Sequence, residues 1–202
     1  MVRTGIRSAI LGALLIGLSS GAAAAPQAKQ APKQPAKQAP RVNPDAAVIQ
    51  DFLKRVDAYV ALHEKLEATL PKLPEQTTPQ QIDQHQRALA ALIQAARKDA
   101  KQGDLLTPAM QRRIRALLRP VFAGKQGLQV KNEIVDKELK SVKLAPNARY
   151  PDEVPISTVP PQVLLTLPKL PEELEYRFIQ NSLILFDPHA HIIVDYMDRA
   201  FT

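Results

Sequence analysis

The 202-residue chain has no cysteine and no tryptophan, only seven glycines, and nine phenylalanines and tyrosines together. Without cysteine there is no disulfide framework, no thiolate nucleophile and no Cys-ligated zinc or iron–sulfur centre. The glycines form no phosphate-cradling pattern, which leaves no basis for a P-loop or a dinucleotide fingerprint. None of the six serines lies within G-x-S-x-G, which argues against a hydrolase nucleophile elbow. Asp187 and Asp195 could be drawn as a glycosidase pair, but the chain offers few rings on which a sugar would stack. Proline is abundant, at 18 residues, and so is positive charge, with 27 Lys and Arg against 20 Asp and Glu.

The charge is unevenly placed. Arg3 and Arg7 precede an apolar stretch from Ala9 to Leu18, and small residues follow from Ser19 to Ala25. This is the layout of a secretory signal peptide over residues 1–24, cut after Ala24 on the Ala22-x-Ala24 pattern because Pro26 obstructs the next bond. The apolar run is much shorter than the roughly 20 residues that span a bilayer, so the chain is not expected to be an integral membrane protein. The two arginines are not adjacent, which disfavours the twin-arginine route. A periplasmic or secreted location follows. Residues 25–43 then read as a disordered Pro/Ala/Lys/Gln linker, because Pro26–Arg41 holds no large apolar residue. The leader carries two of the positive charges and the linker four, leaving only +1 for Val42 to Thr202. No nucleic-acid partner is therefore expected. The basic tail is either a soluble spacer or a weak contact for anionic envelope components.

From Asp45 to Leu70 the sequence Ile49, Phe52, Val56, Tyr59, His63, Leu66, Leu70 alternates steps of three and four, the seam of an amphipathic helix. Pro71 and Pro74 end it, and Thr78-Pro79 opens a second helix with Ile82, His85, Leu89, Leu92 and Ala96 on its seam and Gly103 at its close. The short connection makes this an antiparallel helical hairpin. His63 and His85 lie equally far from the turn, so they sit at one height and face each other. Glu67 is one turn from His63, and Gln81 one turn from His85. Two imidazoles and a carboxylate across two helices suit zinc or nickel, or a pH switch. The plain alternative is two seam histidines bonded to neighbours or water.

Thr107-Pro108 opens a third helix through about Phe122, with Arg112, Arg115 and Arg119 opposite its apolar face. These arginines could meet phosphate or a membrane surface, or simply be solvated and complemented by residues 150–202, whose net charge is −5. Gly124-Lys125-Gln126-Gly127 is similar to the GxxG loop of KH domains; with no strand before it, a short turn leading to a helix over about 128–140 is the simpler reading. Prolines from Leu144 to Pro171 make a surface strap, relieved by a short helix near Gln162–Thr166. The period then becomes two over Glu175–Ile179, Leu183–Phe186 and Ile192–Tyr196, which predicts an antiparallel meander. Asp187, His189 and His191 cluster at its second turn, and if that stretch is extended His189 and His191 share one side. Asp-x-His-x-His is a second candidate metal set.

Three segments, FLKRVDAYVALHEKLEATLPKLP, QIDQHQRALAALIQAARKDAKQGDLLTP and VPPQVLLTLPKLPEELEYRFIQNSLILFDPHAHIIVDYMDRA, together resemble an uncharacterised family of exported bacterial proteins. The closing meander is also similar to the end of small periplasmic metal-homeostasis proteins. The resemblance implies export and fold, and brings no catalytic residues.

The expected architecture is one α+β domain over 44–202, helical over 44–143, with a strap over 144–171 and a β-meander over 172–198. The expected function is a periplasmic, non-enzymatic interaction or envelope-associated role. The alternative is divalent-metal binding through His63, His85, Asp187, His189 and His191, with zinc or nickel as the ion and no other cofactor.

Overall fold

The first three helices all open the same way, with a side-chain oxygen followed by proline. In the computed structural model, which describes residues 43–134, 143–152 and 159–201, α1 is Pro44–Glu67, α2 Pro79–Ala96 and α3 Pro108–Leu118. Asn43 accepts from the amide of Asp45, Thr78 from Gln81, and Thr107 from Met110. Thr78 and Gln81 complete a reciprocal capping box, which contributes about 1 kcal/mol and fixes the start of α2. The leader and nearly all of the Pro/Lys linker lie outside the described residues, as does the expected helix beyond Ile134. Among the described residues no helix is long and apolar enough to cross a membrane.

The helices α1 and α2 form the expected hairpin. On α1 the buried residues are Phe52, Val56, Tyr59 and His63, as the three-four spacing requires. The stripe on α2 is rotated from its expected position. Its buried residues are Leu89, Ala90 and Ile93, whereas Ile82 is 42% exposed and Ala96 is also exposed. The reason is that α2 packs on the sheet layer as well as on α1. Gln86 donates to the Pro188 carbonyl, Gln94 to that of Asn147, and Arg97 to the Asn147 side chain. Gly103 does not end α2 but turns the following loop, at φ 90.

The expected turn at Gly124–Gly127 is instead the first turn of α4, Gly124–Ile134. A Cβ on Gly127 would lie 2.2 Å from the Phe122 carbonyl carbon, so a glycine is needed where this helix doubles back on the end of α3. The strap holds α5, Pro161–Leu164, close to the short helix expected there, and a two-residue strand β1, Ala148–Arg149, that periodicity did not reveal.

The meander is present as β2 Glu175–Ile179, β3 Ser182–Asp187 and β4 Ile192–Met197, and β1 extends it to four antiparallel strands in the order β1-β4-β3-β2. Gln180 and Asn181 make the first turn, with Gln180 at φ 56, the sign a two-residue hairpin needs at its first position. One sheet face, with Leu183, Leu185, Ile192, Val194 and Met197, joins the core of the helices. Ile184, Phe186 and Ile193 on the other face pack with Tyr150.

Pairing slips by one residue between Leu185 and Phe186, so Val194 is an extra residue in β4. This bulge breaks the alternation and turns Asp195 toward the helices. There its carboxylate accepts from the amides of Gly103, Leu105 and Leu106, and from its neighbour Tyr196. Burial raises the Asp195 carboxyl above its usual range, and these four amides pull it back. Asp195 thus fastens the α2–α3 loop to the sheet. It is fully buried, as is Asp187, and both are committed to hydrogen bonds, which removes the glycosidase pair.

Candidate metal centre

The last turns of α1, the first half of α2 and the β3–β4 turn meet at one point. From α1 come Tyr59, His63 and Glu67, which are spaced by four and so share a helix face. From α2 comes His85, and from the turn come Asp187 and His189.

Asp187 organises the inner side. It is fully buried at the end of β3; its Oδ1 accepts from the Ala190 amide at 2.8 Å, and its Oδ2 accepts from the Tyr59 hydroxyl and from His63 Nδ1, each at 2.6 Å. A carboxylate only accepts, so His63 carries its proton on Nδ1 and presents Nε2 to the other side. Burial alone would lower the His63 pKa. The hydrogen bond and charge of Asp187, with Glu67 behind them, outweigh burial and raise it. Burial and the same carboxylate push the Tyr59 hydroxyl far above its normal range, so it stays protonated as a donor. Arg97 lies over the Tyr59 ring at 5.1 Å and donates to Asn147, which holds the ring from behind.

Glu67 organises the outer side. Its Oε2 is 3.3 Å from His63 Nε2, and its Oε1 is 3.4 Å from His189 Nδ1 and 3.6 Å from His85 Nε2. One ligand atom from each of His63, Glu67 and His189 can be chosen so that all lie within 4.8 Å of one another. The His63 and His189 rings meet edge to face, with centroids 5.3 Å apart. Exposure rises outward: the side chain of His63 is buried, His85 is 14% exposed, Glu67 34% and His189 47%.

The separations around Glu67 are informative. Charge-assisted hydrogen bonds settle at about 2.7–2.9 Å, and all three are longer. Donors held about 2.0–2.1 Å from a tetrahedral ion stand about 3.3–3.4 Å apart; here His63 and His189 lie 3.3 and 3.4 Å from different oxygens of Glu67, and one donor atom from each of the three residues falls within a span of 4.8 Å. The buried Asp187–His63 contact is the carboxylate–histidine arrangement that orients metal-ligating imidazoles.

The two candidate sets read from the sequence therefore merge. His63 and His85 each contact Glu67, through different carboxylate oxygens at 3.3 and 3.6 Å, while Gln81 is engaged in the capping box. From the turn, His189 joins as a ligand candidate and Asp187 as the group behind His63. His191 does not join. The stretch is a turn, not extended, and His191 at φ 54 points into the Tyr150 and Phe186 rings, 5.7 and 5.4 Å away. It lies 3.6 Å from the Asp152 carboxylate, and burial, with Arg149 nearby, lowers its pKa. Sequence reasoning missed Tyr59, a seam residue whose hydroxyl is the only hint of another role. Comparison with known protein families, curated proteins and solved structures finds none that matches this chain, so the chemistry of this centre is read from its own side chains.

Proposed function

We propose that this chain is an exported, non-enzymatic protein that binds one divalent transition-metal ion, zinc or nickel, through His63 Nε2, the Glu67 carboxylate and His189, with His85 beside the Glu67 carboxylate. The observation that carries this reading is the convergence of three imidazoles on one carboxylate at 3.3–3.6 Å, from three separate elements. Nitrogen and oxygen donors in this number suit zinc, and imidazole-rich sites also hold nickel. Asp187 and Tyr59 supply the support behind His63. A cavity of about 300 Å³ lies beside the α1–α2 connection, lined by Leu70, Pro74, Gln84 and His85. Export rests on the leader sequence.

Isothermal titration of the purified protein with zinc and with nickel at neutral pH tests this. The expected result is one saturable site, lost in His63→Ala and in His189→Ala and retained in His191→Ala. No heat, or heat unchanged in the first two variants, overturns the reading.

A further inference from the structure

A second cavity lies away from the metal centre, where the end of α3 meets the chain after β4. It measures about 310 Å³ and is lined by Arg115, Arg119 and Arg199 together with Leu118, Phe122 and Phe201. The Phe122 and Phe201 ring centroids are 4.4 Å apart with the rings tilted by 33°, and Phe178 meets Phe201 edge to face at 5.5 Å, so the floor is an aromatic cluster. Three arginines line the cavity, and no carboxylate lines it among the described residues. The nearest acidic side chain in sequence, Asp198, is turned away to Gln102 and Ser182.

The three arginines are not equivalent. Arg115 donates to the carbonyls of Asp198 and Arg199 at 2.8 and 2.9 Å, which clasps the chain end to α3. Arg119 and Arg199 make no side-chain hydrogen bond or ion pair among the described residues, although each could form several. Arg199 stands there at φ 49, a left-handed backbone conformation uncommon for a side chain of this size. The carbonyl of Leu118 at the end of α3 is taken by the Phe122 amide, so it does not compete for the guanidinium groups.

We infer that this cavity binds a small amphiphilic oxyanion, a carboxylate or phosphate carrying a short aryl or alkyl group, with the anion between Arg119 and Arg199 and the apolar part on Phe122 and Phe201. Arginine suits this because its planar fork pairs two donors with two oxygens of a carboxylate or phosphate. At about 30 Å³ per water-sized group, the volume admits about ten non-hydrogen atoms. The site is independent of the metal reading.

The test is calorimetric titration with phenyl phosphate in EDTA, so that no ion at the other centre contributes. Inorganic phosphate and phosphatidylglycerol vesicles serve as separate arms. Saturable binding of phenyl phosphate at one site is expected, weakened at least tenfold in Arg119→Gln/Arg199→Gln. The exposed Arg112→Gln on the same helix should bind within twofold of the parent. Phe201→Leu, which keeps the cavity apolar but removes the ring, should weaken phenyl phosphate and leave inorganic phosphate unchanged. Any of four outcomes overturns the inference: no saturable binding, inorganic phosphate binding as tightly as phenyl phosphate, an equal loss in Arg112→Gln, or capture by vesicles without binding of the soluble probe.

Discussion

Replacing Asp187 with asparagine changes one atom at the centre of the network, and its effect can be worked through group by group. Three donors point at Asp187: the Ala190 amide, the Tyr59 hydroxyl and His63 Nδ1–H. Asparagine has only one acceptor oxygen to offer them. The Ala190 amide cannot reorient, so the oxygen stays with it and the NH2 group takes the place of Oδ2. Tyr59 can rotate its hydroxyl to accept. His63 must move its proton from Nδ1 to Nε2, the nitrogen that faces Glu67. A protonated Nε2 cannot ligate, and restoring the other tautomer leaves two buried donors opposed, at a cost of about 1–3 kcal/mol. Zinc affinity should fall about 10–100-fold, the usual loss on removing such a supporting group. Calorimetry gives the affinity, and ¹⁵N shifts of the His63 ring in the metal-free protein report the tautomer directly. If Asp187→Asn binds zinc within twofold of the parent, or keeps its proton on Nδ1, the account of Asp187 as the group that aims His63 is wrong.

Two further expectations concern pH and packing. In EDTA, the folded-state pKa of His63 is raised, so its contribution to stability is complete below the ordinary histidine value of about 6.5 and fades as pH rises through the raised value. Zinc affinity runs the other way, because binding displaces ring protons. Thermal melts of the parent and His63→Gln should therefore converge as pH rises from about 6 to 9, while zinc titrations of the parent tighten; melts that diverge would contradict the sign. Gly127→Ala places a methyl group against the Phe122 backbone at 2.2 Å, where no side-chain rotation relieves the contact. A loss of about 1–3 kcal/mol in urea unfolding is expected, and a parent-like midpoint would show that α4 shifts freely.

Much of the helical architecture was legible because it is written locally. Thr78-Pro79 and Thr107-Pro108 open their helices where the cap chemistry puts them, and the heights of His63 and His85 follow from the hairpin alone. What was not legible depends on one layer pressing on another. The stripe on α2 turns toward Leu89, Ala90 and Ile93 because the sheet lies on that side. The extra residue Val194 carries no sequence mark, yet it sends Asp195 to the helices. Nor does the spacing Asp187-x-His189-x-His191 show that His189 turns to Glu67 and His191 to Tyr150, since that needs the backbone reversal at His191. The two half-sites were visible separately. Their union required the β3–β4 turn to dock on the hairpin.

His63 and its carboxylate partner are 124 positions apart, with α2 to α5, β1 and β2 between them. Neither end can assemble the cluster alone: an emerging chain gathers the helical donors early and waits for its closing hairpin to bring the rest. An ion captured there would act as a clasp between segments far apart along the chain, so loading would report that they had docked.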